Sequence, residues 1–348
     1  MIINKTPVRT SKNFGINEVE LKDFEFPKLI SEYNGITIFG DTEKFEISEN
    51  VSKNPLIYGN GKELENEVFE KANKNIKIED LKSGILNIYF DLNDENLNLI
   101  DNIEINATSK SKTTIVIKYE SDKDREYYHN GIIRLKALKS SKTEIVIINM
   151  LNDKSKNFLS IENEIEDNAT VKYTIVDFGG KSSISNYYSN VLGENAKSDL
   201  NTIYLGNKNQ LFDINYIVEV RGALSEANIE VQGALDENAT KNFKGTIDFK
   251  KGCKKAKGNE NEFCLLLSDT AKSKALPMLL CTEEDVEGSH STAAGKADDD
   301  RLFYIMSRGI SEKEAMKLIV KANFNKILEN IKDEELKQKI IDEIDSKI

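Results

Sequence analysis

The feature that most limits the folds open to this chain is a stretch from about residue 76 to residue 285 in which helical periodicity is missing. Short alternating runs take its place: Ile85-Leu-Asn-Ile-Tyr-Phe90, Thr114-Ile-Val-Ile-Lys-Tyr119, Glu144-Ile-Val-Ile-Ile148 and Thr170-Val-Lys-Tyr-Thr-Ile175. A period of two in β-branched and aromatic residues marks strands. The separators are rich in Asn, Asp, Ser and Gly. Proline is nearly absent, as expected where backbone N–H groups feed a continuous ladder.

A weak internal repeat sharpens the reading. Ser111-Lys-Thr-Thr-Ile-Val-Ile117 returns 30 residues on as Ser141-Lys-Thr-Glu-Ile-Val-Ile147, and small-residue turns follow at Asn168-Ala169, Asn195-Ala196, Glu226-Ala227 and Asn238-Ala239. A β-sandwich could also supply many short strands. So long a run of strand with a loose repeat favours a solenoid whose rungs stack on their neighbours. The expected organisation is mainly β: an irregular, mixed region over 1–75, a β-solenoid over 76–296 and a helical domain over 297–348. The first region holds three of the four prolines (Pro7, Pro27, Pro55), a strand-like Gly35-Ile-Thr-Ile-Phe39 and a helical stretch from Glu63 to Ala72.

The last region has well-marked helix signals. Asp298-Asp-Asp300 places carboxylates at a positive helix N-terminus, and Gly309 is a left-handed stop. Ser311-Glu-Lys-Glu314 is a capping box. Behind it Ala315, Leu318, Ile319, Ala322, Ile327, Leu328 and Ile331 share one face, and Leu336, Ile340, Ile341 and Ile344 line a last amphipathic helix. A solenoid offers limited surface to bury such helices, which makes docking to a partner a credible second role for them.

The net charge of −11 leaves no basic surplus to neutralise phosphates, which argues against nucleic acid and disfavours anionic membranes. The first residues carry no apolar signal core, and no run is long enough to span a bilayer, so a cytoplasmic location is expected. Cys253, Cys264 and Cys281 fall within 29 residues without a CxxC pair. An odd number makes a disulfide framework unfavourable, and the zinc signal is weak.

Few catalytic motifs are present. Gly59-Asn-Gly-Lys62 lacks the spacing of a phosphate loop and reads as a turn. His129, in a charged stretch behind two tyrosines, reads as a surface or rung-edge histidine, and Glu283-Glu-Asp285 as a solvated turn. His290 differs. Gly288, Ser289, Ser291, Ala293, Ala294 and Gly295 around it let backbone approach closely and leave the imidazole room for a partner or a metal; the plainer alternative is a hydrogen-bonded histidine where strand gives way to helix.

Asp285-Val-Glu-Gly-Ser-His-Ser-Thr-Ala-Ala-Gly295, followed by Asp300-Arg-Leu-Phe-Tyr-Ile-Met-Ser-Arg-Gly-Ile310, resembles the C-terminal signature of the SufB/SufD family, the non-ATPase subunits of the SUF iron–sulfur cluster assembly machine. Phe243-Lys-Gly-Thr-Ile-Asp248, Leu265-Leu-Leu-Ser-Asp269 and Pro277-Met-Leu-Leu280 extend the resemblance over about 110 residues. Ser289 and Ser291 stand where SufB-type sequences typically carry acidic residues, so the chain is closer to the SufD type.

The resemblance implies a right-handed parallel β-helix with a C-terminal helical domain, and a scaffold subunit rather than an enzyme. The helical domain would bind a SufC-type ABC ATPase, so that this chain binds no ATP itself, with Phe303, Tyr304, Arg308, Gly309, Leu318 and Ile319 as the docking residues. The β-helix would pair with a SufB-type paralogue, or with a second copy of this chain in its absence. His290 matches the SufD histidine implicated in building a transient iron–sulfur cluster shared with SufB, which makes it the candidate metal ligand. Cys264 lies two residues from the register of the SufB scaffold cysteine, near Glu262, and Cys281 has no transferable role. Thiolate and imidazole suit iron–sulfur ligation, so both thiols are secondary candidates. Two other expectations stay open: a homodimeric SufB-like scaffold carrying its own cluster, and a β-helix enzyme acting on acidic polysaccharide, against which the negative charge counts.

Overall fold

The computed structural model describes residues 1–22, 24–122 and 125–348. Consecutive strands alternate between two nine-stranded sheets, so strands adjacent in a sheet are one full turn apart in the chain. Sheet I ends on the strand Lys272–Cys281 and sheet II on Val286–Lys296. Pairing is parallel throughout each sheet except at its first strand, an antiparallel cap: Phe45–Ser48 on sheet I and Ile36–Gly40 on sheet II. The chain is therefore a parallel β-solenoid, and its caps lie inside the N-terminal region that the sequence marks as irregular.

The 30-residue repeat is the rung itself. Lys112 to Ile117 pair with Lys142 to Ile147 position for position on adjacent strands. Each rung turns one corner through a left-handed residue, and Lys110, Ser140, Asn168, Asn195, Leu224 and Lys255 stack there with φ between 53° and 67°. Asn168-Ala169 and Asn195-Ala196 belong to this corner. Asn238-Ala239 lies at another turn, and Glu226-Ala227 opens a strand. Only two of the four small-residue pairs thus mark the same place.

Alternation sends every second side chain into the solenoid's interior, where Ile, Leu, Val and aromatic residues of both sheets form one core. The outer faces are covered too. On sheet I, Ile3, Val19, and Leu64 and Val68 of α1 (Lys62–Lys71) pack on Ile100, Tyr128, Ile132, Phe158 and Ile184. Asn4 Nδ2 donates to Asp213 Oδ1 at 2.7 Å, and Lys244 Nζ donates to the Asn4 carbonyl at 2.8 Å.

On sheet II the cover is helical. α2 (Asp299–Met306), α3 (Glu312–Leu328) and α4 (Glu334–Lys347) follow the last strand. Asp298 and Ser311 accept from Arg301 N and Glu314 N as caps, and Gly309 takes φ 86°. Ile319, Val320, Phe324, Ile327, Leu336, Ile340 and Ile344 bury against Val146, Ile148, Val176, Phe178, Ile203 and Leu205. The expectation that the solenoid offers little surface to these helices is therefore corrected. Its outer face carries an apolar strip at strand positions that face outward, and α3 and α4 lie on it.

Candidate functional site

The last rung of the solenoid has no cover among the described residues. Lys272–Cys281 and Val286–Lys296 form the last rung, and among the described residues neither has a strand on its outer side. Most of Val286–Lys296 is exposed. Pro277 lies on this rung, at the edge of its sheet, where a missing N–H is best tolerated.

His290 sits in the middle of the strand Val286–Lys296, not in a loop or a strand-to-helix junction. Ser289 and Ser291 point outward and donate to Asn259 Oδ1 and Asn261 Oδ1, each at 2.7 Å. Alternation then turns His290 inward, in Cα register with Glu260 of the strand beneath. Thr292 and Ala294 share the inward face of this strand with His290.

The rung beneath holds a polar cluster within the core. Glu260 is fully buried, and neither of its carboxylate oxygens has a hydrogen-bond partner. Burial, and after it the charge of Glu262, pushes the Glu260 carboxyl up to about 8. Glu262 Oε1 accepts from Lys241 Nζ at 2.6 Å and from the Tyr204 hydroxyl at 3.1 Å, while Oε2 is unpartnered. Gly245 makes the space for Glu260, because a Cβ there would lie 1.9 Å from Oε1.

The cysteines separate by environment. Cys264 faces inward beside Tyr204 and is fully buried, and burial raises its thiol above the usual range. Cys253 is buried at the turn before that strand, and Cys281 is exposed at the end of the last rung, donating to the Glu283 carbonyl at 2.8 Å. All three are free thiols. No group of three or more His, Cys, Asp or Glu side chains among the described residues stands ready to hold a metal ion. His290, Cys264 and Cys281 are thus near the same end of the solenoid without forming a finished ligand set.

The docking residues also divide. Phe303 is 74% exposed, Tyr304 58% and Leu318 46%, whereas Ile319 is 4% exposed. The Arg308 guanidinium lies 4.6 Å from the Tyr304 ring centroid and donates to its hydroxyl. Leu302 and Ile305 turn α2 towards the core, which leaves Phe303 and Tyr304 on its outer side. Ile319 is a packing residue of this chain, because its position on α3 faces sheet II.

His129 corrects the surface reading. It is fully buried, with Nε2 2.7 Å from Asp101 Oδ1 and Nδ1 2.6 Å from Asn157 Oδ1, all three on the inward face of successive rungs. The Glu260, Glu262 and Lys241 cluster was not legible as a site. The run Asn259-Glu-Asn-Glu262 resembles a solvated stretch until alternation is applied, which sends both glutamates inward.

The family model described as the SufBD core domain of SUF-system FeS cluster assembly matches residues 90–323. The iron–sulfur cluster assembly protein SufD of Bacillus subtilis is 28% identical over 166 residues, 48% of this chain and 38% of that protein. A SufBD family protein of Pyrococcus horikoshii is 35% identical over 167 residues, 47% of this chain and 36% of that protein. SufD of Escherichia coli is 22% identical over 238 residues, 68% of this chain and 56% of that protein. The chain thus spans between about a third and somewhat over half of the length of these curated relatives.

Proposed function

The chain belongs to the SufBD core family of SUF-system iron–sulfur cluster assembly, and on that premise we propose that it serves as a SufD-like scaffold subunit whose last rung is the assembly face. The observation that carries this reading is the asymmetry of cover. Both outer faces are packed over, while the last rung leaves two edge strands of 10 and 11 residues without a partner among the described residues, against antiparallel edge strands of only 5 and 4 residues at the other end. Unpaired edges of that length are templates for another strand, and a second β-solenoid fits them best. A SufB-type paralogue is the proposed partner, with a second copy of this chain as the alternative.

His290 stands in that face with an exposed, inward-turned imidazole. In this reading it holds iron of the nascent cluster, which is cargo shared with the partner, and the remaining ligands come from the partner's side. Cys281, exposed at the end of the same rung, is the one thiol of this chain within easy reach of solvent. The chain itself performs no bond-making step; it binds, positions and releases.

The outer side of α2 is the proposed seat of a SufC-type ABC ATPase. Phe303 and Tyr304 are large, exposed and adjacent, with Arg308 beside the Tyr304 ring, the residue types that dominate protein interfaces. Movement of α2 on ATP hydrolysis would reach the assembly face through the two residues, Ala297 and Asp298, between the last strand and the helix. The family match supports this reading over the polysaccharide-enzyme alternative.

Co-expression with SufB-type and SufC-type partners tests this. All three are expected to co-purify, with Phe303→Asp losing the ATPase and keeping the paralogue. Retention of the ATPase by that variant, or failure to bind any β-solenoid partner or a second copy, would overturn the reading. Deleting 297–348 is the poorer test, since it would uncover the apolar strip on sheet II.

A further inference from the structure

Among the described residues Glu260 is the least satisfied ionisable group in the interior. Its side chain is fully buried, both oxygens lack a partner, and Glu262 presents a second unpartnered oxygen two residues along the same inward face. One buried cation, Lys241, is bonded to Glu262 at 2.6 Å and to the Lys274 carbonyl at 3.2 Å, and it makes no hydrogen bond to Glu260. The ammonium group thus serves Glu262, and Glu260 has no cation bonded to it. A carboxylate in apolar surroundings with no donor is costly, and the cost is met by a positive ligand or by a proton. A proton alone supplies neither oxygen with a donor.

The surroundings keep this place open to a small ion. Gly245 faces Glu260 from sheet I, and any side chain there would collide with Oε1. Above Glu260, Glu262 and Cys264 stand His290, Thr292 and Ala294 of the last rung, and above Lys241 stands Ser273. Among the described residues no strand lies beyond that rung. The cluster therefore lies one strand spacing, about 4.8 Å, inside an uncovered end.

We propose that Glu260 and Glu262 form a binding site for a divalent first-row transition-metal ion inside the solenoid, one rung beneath His290. Carboxylate oxygens with an imidazole in reach suit iron(II), manganese(II) and zinc(II) better than calcium, which seeks six to eight oxygens. The side chains do not yet surround a common point. The two carboxylates supply the fixed part of the site, and water or an inward-turned His290 completes it. The inference rests on the proposed function only in naming iron(II) as the physiological ion; binding itself requires neither the paralogue nor the ATPase.

The test is anaerobic equilibrium dialysis of the full-length, metal-free chain against iron(II), with cobalt(II) as a spectroscopic probe. Wild type is expected to take up one ion per chain, and Glu260→Gln to weaken it at least tenfold. Gln fills the same volume, and Glu260 has no hydrogen bond to lose, so this variant keeps the fold, which circular dichroism checks. Gly245→Ala, which drives Oε1 from its place, is expected to weaken binding in the same direction. No uptake by wild type, or equal uptake by wild type and Glu260→Gln, overturns the site and marks any binding as a property of the acidic surface. Cluster formation in the assembled complex is read separately. A lost ion site with normal cluster yield leaves the site standing and removes iron(II) supply from its role, whereas loss of the partner complex bears on the proposed function alone.

Discussion

His290 and Glu260 face the same way on neighbouring strands, in Cα register, one on the open last rung and the other in the closed rung beneath. The exposed imidazole and the buried, unpartnered carboxylate thus lie on neighbouring strands at the last-rung end of the solenoid, where no described strand follows.

The acid sets a pH dependence. Burial holds the Glu260 carboxyl near 8 in the folded chain, against an ordinary value of 4.5. The folded state binds this proton more tightly than the unfolded chain does. Its stabilising contribution is therefore full below the ordinary value and is lost as the pH rises through about 8. The metal-free protein should lose stability over that range, by up to about 1.4 kcal/mol per pH unit from this group. Glu260→Gln removes the term, so its advantage over wild type should grow from about pH 5 to about pH 8. Thermal unfolding across that range checks this; parallel curves would contradict it.

Gly245 and Glu260 should be coupled. A Cβ at 245 collides with Oε1, so Gly245→Ala should destabilise the chain by about 1–3 kcal/mol, the usual cost of overpacking. Most of that cost should vanish in a Glu260→Ala background. A double-mutant cycle in denaturant measures the interaction, and additive effects would show that the glycine has another purpose.

Phe303 and Ile319 should behave oppositely, although the sequence groups them. Ile319→Ala leaves a cavity between α3 and sheet II and should cost about 2–5 kcal/mol. Phe303→Ala removes an exposed ring and should change stability by no more than about 0.5 kcal/mol. It should nevertheless weaken ATPase binding by about 2 kcal/mol or more if Phe303 is an anchor. Calorimetry for both variants and a titration with the ATPase for the second decide the matter.

The three thiols should differ in reactivity. Cys281 is exposed, while Cys253 and Cys264 are buried with raised thiols. The thiolate is the reactive form, so a maleimide should label one cysteine quickly and the other two only on unfolding. Mass spectrometry of the labelled peptides reads the result. Protection of Cys281 on adding a solenoid partner would place that partner on the last rung.

The fold was largely legible because its physics is periodic. Strand alternation and the Ser111/Ser141 repeat are local patterns, and they translate directly into rung register. The helix caps at Asp298 and Ser311 and the stop at Gly309 are equally local. Three things were hidden because they depend on which face looks inward. His129 looks like a surface residue until Asp101 and Asn157 are brought beside it from neighbouring rungs. Glu260 and Glu262 look solvated until the pleat turns them into the core. Ile319 looks available until the outer face of sheet II proves apolar. His290 was found from its small neighbours, but its place within an edge strand came only with the sheet.

The most direct test of the account is cluster formation on the assembled complex carrying His290→Ala, followed anaerobically by visible absorption with iron and sulfide quantified. An intact complex with the ATPase and the paralogue and at least a tenfold lower cluster yield are expected. Wild-type yield on an intact His290→Ala complex would contradict it.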